Sequence, residues 1–271
     1  MEYFAGVDIG STSIKIVLID EQKTVVGDIT TLTNGSFHAN TVFAYQQLLI
    51  QTGIKEPAVR RIVSTGYGRK LFGEANETIS EITANAAGVR ALSESVGEVR
   101  TIINIGGQDL KIIALDSAGY CHDFIMNDKC AAGTGRFLEM VSRSLNIPLE
   151  ELGNVHLQLN GVPVTINSTC TVFAESEIIS LLAAGHGHAE IVAGIHYSIA
   201  RRISRLCKRL DSIDAVLFDG GPALNLGLAE AISDELMCDI RIPDQPQITT
   251  ALGAALIGLE TETGKKEIKY A

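Results

Sequence analysis

The sequence lacks any apolar run of the roughly 20 residues that a membrane-spanning helix needs, and no basic region followed by an apolar stretch opens the chain. It also lacks low-complexity segments, and no stretch rich in proline or charge divides it. These absences exclude the membrane, disordered and fibrous classes and favour an ordinary globular protein. We therefore expect a cytoplasmic protein with no membrane partner and one or two domains in its 271 residues.

The sequence also has fewer basic than acidic residues. The chain has 22 Lys and Arg residues against 32 Asp and Glu residues, so its formal net charge is -10 at pH 7. A protein of that sign repels a phosphate backbone, and we expect no nucleic-acid partner. The basic residues between Arg201 and Arg209 have helical spacing and are interpreted as a solvated helix face.

The five cysteines are odd in number and scattered, so they do not form the pattern of a disulfide framework. Cys130 and Cys170 are too far apart for a CxxC redox pair, but each stands immediately before a predicted helix. A helix N-terminus carries partial positive charge and unpaired N–H groups, which favour a thiolate and a metal–sulfur cluster. Cys121, Cys207 and Cys238 lack this context and are interpreted as structural thiols.

Two common nucleotide-binding motifs are missing as well, because the chain has neither GxxxxGK[ST] nor GxGxxG between a strand and a helix. Instead, residues 3–7 and 13–19 read as two strands of a hairpin joined by the turn-rich segment 8–12. Asp8 precedes the glycine and hydroxyl residues of the turn, and Lys15 follows them. Carboxylate, hydroxyl, backbone N–H and cation are the groups that bind nucleotide phosphates and hydrated magnesium. A single hairpin of this kind is equally typical of a plain tight turn.

The pattern recurs further along the chain, which favours the nucleotide reading. Residues 101–105 and 111–115 predict a second hairpin around the turn 106–109, and residues 218–225 place paired glycines at a strand-to-helix junction. Residues 250–255 predict a helix of small residues that permits a close helix–helix approach. The repeat predicts two similar α/β domains with a boundary near residue 100.

Hydrophobic periodicity predicts the remaining elements. Further strands are expected at residues 25–33, 59–64 and 215–218 and around Ile240 and Ile242. Helices are expected at residues 41–51, 81–95, 135–145, 171–184, 189–210, 223–235 and 249–258. His186, His188 and His196 have no cysteine or carboxylate partner at ligand spacing and are interpreted as surface histidines.

The four segments, in this order, resemble the phosphate-1, phosphate-2, adenosine and connecting motifs of the actin, sugar-kinase and heat-shock-chaperone superfamily. This resemblance implies an α/β fold of two ribonuclease-H-like domains with ATP in the cleft between them. Residues 1–100, completed by a C-terminal helix, would form the first domain. Residues 101–271, with the two cysteines, would form the second.

Residues 64–69, 127–139 and 170–177 resemble more narrowly the activators of 2-hydroxyacyl-CoA dehydratases, in the BadF/BadG/BcrA/BcrD ATPase family. That resemblance implies an oxygen-sensitive homodimer of anaerobic metabolism in which Cys130 and Cys170 of both subunits hold one bridging [4Fe-4S] cluster. It further implies an electron donor, ferredoxin or flavodoxin, and an iron–sulfur partner enzyme. The acceptor could be a 2-hydroxyacyl-CoA dehydratase, a benzoyl-CoA reductase or a double-cubane reductase, and the sequence does not discriminate among them.

The resemblance also implies roles for single residues in binding ATP or ADP with Mg²⁺. Asp8 and Asp109 would hold magnesium and orient water, and Gln108 would lie near the γ-phosphate. The remaining nucleotide contacts would come from Ser11, Thr12, Ser13, Ile14, Lys15, Gly220, Gly221 and Gln247. Asn104 departs from the aspartate usual in the family, and because an amide cannot act as a general base, hydrolysis is expected to be slower or to rest on Asp109. Pro222 and Leu224 also depart from the usual residues.

Two other functions share this fold. A small-molecule kinase of the sugar-kinase type would need a sugar site with a catalytic aspartate and would leave both cysteines unexplained. A nucleotide-gated scaffold of the actin type would form filaments with ATP, whereas a closed two-fold dimer would not.

Overall fold

The computed structural model describes residues 1–167, 170–210 and 213–264. The chain divides into two compact units. The first comprises Met1–Val99, Leu115–His122 and the segment that begins at Gln247. The second comprises Arg100–Ala114 and Asp123–Pro246.

The described residues form ten strands and nine α-helices. The strands are β1 (Tyr3–Ile9), β2 (Ser13–Asp20), β3 (Val25–Leu32), β4 (Val59–Thr65), β5 (Glu77–Thr78), β6 (Thr101–Ile105), β7 (Leu110–Leu115), β8 (Cys121–Asn127), β9 (Val216–Asp219) and β10 (Ile240–Arg241). The helices are α1 (Phe37–Thr52), α2 (Glu81–Ala91), α3 (Ser93–Val96), α4 (Gly135–Leu145), α5 (Leu152–Leu157), α6 (Thr171–Ala183), α7 (His188–Cys207), α8 (Leu226–Leu236) and α9 (Thr249–Glu262).

The described strands form two sheets of the same topology. One has the order β3-β2-β1-β4-β5 and the other β10-β9-β6-β7-β8, which is the same order read from the opposite edge. In each sheet a hairpin, β1–β2 or β6–β7, is antiparallel, and its first strand pairs in parallel with β4 or β9. The two predicted hairpins are confirmed.

Each unit has its own apolar core. In the second unit, the buried strands β6, β7 and β9 are covered by apolar residues of α4, α7 and α8. In the first unit, β1 and β2 contribute one set of side chains to a core with α1 and another set to a core with α9. Burial on both faces explains why β1 and β2 consist almost entirely of apolar residues.

Helix α9 packs closely against α2 because it carries small residues along its length. A Cβ atom on Gly253 would collide with the carbonyl oxygen of Ala84 in α2, so only glycine permits this approach. Ala251, Ala254 and Ala255 are fully buried beside it. The close approach predicted for residues 250–255 is therefore confirmed.

Several boundaries differ from those expected. The helix expected at residues 81–95 is two helices, α2 and α3, because Leu92 leaves the helical conformation at φ -86° and ψ 0°. Strand β8 and helix α5 were not predicted. No helix in the described ranges combines the length and apolar character that crossing a bilayer requires.

Candidate functional site

The first hairpin brings a carboxylate and an ammonium group together. Asp8, near the end of β1, lies directly across from Lys15 in β2, and Lys15 Nζ is 3.3 Å from Asp8 Oδ2. Both side chains are largely buried. Next to them, the Ile14 side chain belongs to the apolar core, so only the backbone of Ile14 is free to meet a ligand.

The turn of this hairpin is fixed by hydrogen bonds. The Gly10 N–H donates to the Ser13 carbonyl at 3.0 Å, and the Thr33 N–H donates to the Thr12 carbonyl at 3.0 Å. The Thr33 hydroxyl donates to the Gly10 carbonyl at 2.8 Å. Ser11, Thr12 and Ser13 are partly exposed, so the turn is held from behind while its hydroxyl groups remain accessible. Such a preorganised set of donors suits an anionic phosphate chain.

The second hairpin repeats this geometry with different side chains. The Gly106 N–H donates to the Asp109 carbonyl at 2.9 Å. Asp109 Oδ1 lies 2.8 Å from Lys111 Nζ, and the Lys111 side chain is almost fully buried. Gln108 is exposed at the tip of the turn, and Asp109 is partly exposed. The side chains of Gln108 and Asp109 are thus accessible to a ligand.

The same turn is bonded to the start of helix α4. The N–H groups of Gly135 and Arg136 donate to the carbonyls of Gly106 and Gly107, each at 2.9 Å. A movement of the turn would therefore be transmitted to the first residues of α4, which is the helix that follows Cys130.

Strand β9, which pairs with the second hairpin, ends at a carboxylate, and two glycines follow it. Asp219 is fully buried, and its Oδ1 accepts a hydrogen bond of 2.7 Å from Asn104 Nδ2. Gly220 has φ +90°, and a Cβ there would collide with the Ile105 carbonyl, so β9 must be followed by glycine at this point. Gly221 is exposed, and Gln247 is partly exposed just before α9. Asp219 belongs to this region although the sequence analysis did not select it.

The two selected cysteines have different local settings. Cys170 is exposed and is the N-cap residue of α6, and its carbonyl accepts the Ala174 N–H at 2.9 Å. The expectation that Cys130 also stands immediately before a helix is wrong. Thr134 is the N-cap of α4, and the turn at residues 131–134 separates Cys130 from the helix, with the Thr134 hydroxyl donating to the Ala131 carbonyl at 2.7 Å. Ser168 and Thr169, which precede Cys170, lie outside the described residues.

The surroundings of the cysteines indicate which of their thiols are accessible to a metal. Helices α4 and α6, which follow the two cysteines, pack against each other. Within the described ranges, no group of three or more His, Cys, Asp and Glu side chains could hold a metal ion by itself. Burial raises the pKa of the Cys207 thiol to about 12, which disfavours the thiolate that a metal needs. Cys130 and Cys170 are more accessible than Cys207.

A buried pair of histidines corrects one interpretation. His196 was expected at the surface, but it is fully buried, and its Nδ1 lies 2.8 Å from Nδ1 of His156. Asn225 Nδ2 donates to His196 Nε2 at 3.1 Å. Burial lowers the pKa of both rings, and that of His196 falls to about 3, so the His196 ring stays neutral. His196 follows Val192 by four positions and precedes Ile199 by three, a spacing that could have indicated the buried face of α7.

A family model described as the BadF/BadG/BcrA/BcrD ATPase family matches residues 5–258. The chain belongs to the BadF/BadG/BcrA/BcrD ATPase family. A 2-hydroxyisocaproyl-CoA dehydratase activator of Clostridioides difficile is 41% identical over 98% of this chain and 99% of its own length. An (R)-2-hydroxyglutaryl-CoA dehydratase activating ATPase of Acidaminococcus fermentans is 36% identical over 94% of this chain and 96% of its own length.

Solved structures confirm the fold class of this family member. A structure of the activator of the 2-hydroxyisocaproyl-CoA dehydratase from Clostridium difficile with bound ADPNP has a TM-score of 0.90 at 41% identity, covering 99% of each chain. A ROK hexokinase of Thermus thermophilus has a TM-score of 0.54 at 15% identity, covering 97% of this chain and 100% of its own, and this likeness concerns the fold alone. The predicted actin and sugar-kinase type of α/β fold is therefore confirmed.

Proposed function

We propose that this chain is an ATP-hydrolysing activator that passes single electrons at low potential to a partner iron–sulfur enzyme. Membership of an ATPase family and the likeness to dehydratase activators support this function. The partner would be a 2-hydroxyacyl-CoA dehydratase, a benzoyl-CoA reductase or a double-cubane reductase. The electron donor would be ferredoxin or flavodoxin, and the protein would act in the cytoplasm of an anaerobic cell.

Nucleotide binding would use the residues selected from the sequence. Ser11, Thr12, Ser13, Lys15 and the backbone of Ile14 would bind the phosphates of ATP or ADP. Asp8 and Asp109 would accept hydrogen bonds from water bound to Mg²⁺, and Gln108 would orient the attacking water. Gly220, Gly221 and Gln247 would contact the adenosine. Lys15 and Lys111, each paired with a carboxylate, would hold these two side chains in place.

A [4Fe-4S] cluster would be held by Cys130 and Cys170 of two chains and would supply the one-electron chemistry. Four thiolates are needed, so a two-fold axis that pairs two subunits completes the ligand set. Large apolar side chains near Cys170 support a partner at this surface, because Val172 is 69% exposed and Phe173 is 68% exposed. Burying such side chains is favourable for a dimer interface.

The hydrogen bonds between the second turn and helix α4 carry this proposal. Gly106 and Gly107 accept from Gly135 and Arg136 at 2.9 Å, so a turn that contacts the γ-phosphate is attached directly to the helix after Cys130. Loss of the γ-phosphate would shift the turn, and α4 would move with it. The chain would thereby couple ATP hydrolysis to the surroundings of Cys130. Binding of the partner must differ between the ATP and ADP states for this coupling to do work.

Cysteine variants purified without oxygen test the proposal. We expect the wild-type protein to be brown and to lose its colour in air. The Cys130→Ser and Cys170→Ser variants should be colourless and free of iron, while their affinity for ATP stays within about twofold of wild type because neither thiol lies in the nucleotide-binding turns. Cys121→Ser, a change of another partly exposed cysteine, is the matched control and should keep its iron. Full iron content in Cys130→Ser would refute the ligand assignment.

A further inference from the structure

The two hairpins correspond residue by residue. Asp8 in β1 faces Lys15 in β2, and Asn104 in β6 faces Lys111 in β7 with the same spacing along the chain. Asn104 is therefore the counterpart of Asp8. The first hairpin has a carboxylate at this position, and the second has a neutral amide.

The correspondence extends to the parallel strand on the other side of each hairpin. Asp8 pairs with Thr65 at the end of β4, and Asn104 pairs with Asp219 at the end of β9. A glycine with positive φ follows in both cases, Gly66 at +89° and Gly220 at +90°. Asp219 is thus the counterpart of Thr65. In the first unit the carboxylate, Asp8, lies on the hairpin strand β1. In the second unit the corresponding carboxylate, Asp219, lies on the neighbouring strand β9.

The contact between Asn104 and Asp219 has a defined chemical direction. The amide presents its NH₂ group to Asp219 and donates to Asp219 Oδ1 at 2.7 Å, as an ionised carboxylate requires of its partner. In this orientation the Asn104 Oδ1 atom remains an acceptor for a ligand. Asp219 is 0% exposed and Asn104 is 9% exposed. Asn104 is therefore the more accessible member of the pair.

We propose that Asp219 is a positioning residue for ATP hydrolysis, which supplies from β9 a carboxylate next to Asn104, the position at which the first hairpin has Asp8. Its charge polarises the Asn104 amide through a short charge-assisted hydrogen bond, which makes Asn104 Oδ1 a better acceptor for water bound to the magnesium of MgATP. This inference rests on the proposed function. It identifies the Asn104–Asp219 pair, rather than Asn104 alone, as the counterpart of Asp8 in the first hairpin.

Exchanging the two side chains tests whether they act as one unit. The variants are Asp219→Asn, Asn104→Asp and the double variant Asn104→Asp/Asp219→Asn, all of nearly unchanged volume. The rate of ATP hydrolysis is measured against magnesium concentration, together with ADP affinity without magnesium and the thermal midpoint. Asp239→Asn, a change of an exposed carboxylate just before β10 in the same sheet, is the matched control.

We expect Asp219→Asn to raise the half-saturating magnesium concentration by about tenfold, because a hydrogen bond to a charged group is lost. Metal-free ADP affinity should stay unchanged. The double variant should return the half-saturating concentration to within about threefold of wild type, because the pair keeps one carboxylate and one amide in contact. Asn104→Asp alone places two carboxylates together and should lower the thermal midpoint unless magnesium is present.

Two results would overturn the inference while leaving the proposed function intact. One is an Asp219→Asn protein with a lowered thermal midpoint and an unchanged magnesium dependence, which would make Asp219 a structural residue only. The other is a double variant that folds as well as wild type but keeps the full defect of Asp219→Asn. A wild-type protein that neither binds nor hydrolyses MgATP would overturn the proposed function and this inference together.

Discussion

In the second unit, one buried asparagine determines which ring nitrogens of the buried histidine pair carry a proton. Asn225 donates to His196, and its Oδ1 also accepts the Leu228 N–H at 2.9 Å as the N-cap of α8. His196 must then carry its proton on Nδ1 and donate it to His156. Nearby Glu230 and Asp234 partly oppose the lowering of the His156 pKa by burial. The chain of hydrogen bonds requires both rings to be neutral.

Acid should therefore destabilise the protein through these histidines. The pKa of His196 is lowered from 6.5 to about 3 in the folded state, so below pH 6.5 the unfolded chain binds a proton that the folded chain does not. Above that pH, protonation of His196 does not reduce the free energy of unfolding. As pH decreases towards 3, the free energy of unfolding falls by up to about 1.4 kcal/mol per pH unit because of His196. Urea unfolding of wild type and His196→Gln between about pH 7.5 and pH 5 measures this effect. The variant should be less stable near neutrality and less sensitive to acid, and equal pH sensitivity of the two proteins would contradict the account.

The sequence could not identify every residue of the site. Asn104 and Asp219 are 115 residues apart in the sequence, and a hydrogen bond over that separation depends on how β6 and β9 pair. His196 was assigned to the surface together with His186 and His188, because no cysteine or carboxylate stands at ligand spacing from them. Its own spacing nevertheless fits the buried face of α7. The turn residues from Ser11 to Lys15 were easier to select, because a nucleotide needs a local set of donors that the sequence itself displays.

Among the secondary structure elements, those with a strong hydrophobic pattern were predicted well, whereas the polar strand β8 and the short helix α5 were not. Strands β1, β2, β6 and β7 are buried, so they appear in the sequence as apolar runs. Strand β8 is an edge strand with mostly exposed residues and a mixed polar sequence, so its composition resembles a loop. Helix α5 is too short to show a helical period.

The close approach of α2 and α9 gives a prediction for these elements. In Gly253→Ala, the new methyl group would collide with the Ala84 carbonyl, and we expect the free energy of unfolding to decrease by about 1–3 kcal/mol. Alanine has the better helix propensity, so a loss of stability would be due to the contact and not to the helix itself. Gly73→Ala is the control, because no atom lies within 4 Å of a Cβ atom built there. Urea denaturation measures both, and a Gly253→Ala protein as stable as the control would contradict this packing.

At the scale of the whole molecule, the residues proposed for electron transfer are concentrated in one unit. Cys130 and Cys170 belong to the second unit, and so do the turn at Gly106 and Gly107 and the helix α4 bonded to it. A signal from the γ-phosphate to the cluster ligands could therefore pass within that unit through a few backbone hydrogen bonds. Asp8 and the turn from Ser11 to Lys15, which are also proposed for nucleotide binding, belong to the first unit.

The most direct test of the whole account is the native mass spectrum of protein purified without oxygen. We predict one main species that contains two chains of 28.9 kDa each and about four iron and four sulfide ions, as a single cluster shared by four thiolates requires. An iron-free single chain that still supports electron transfer to a partner enzyme would contradict the account.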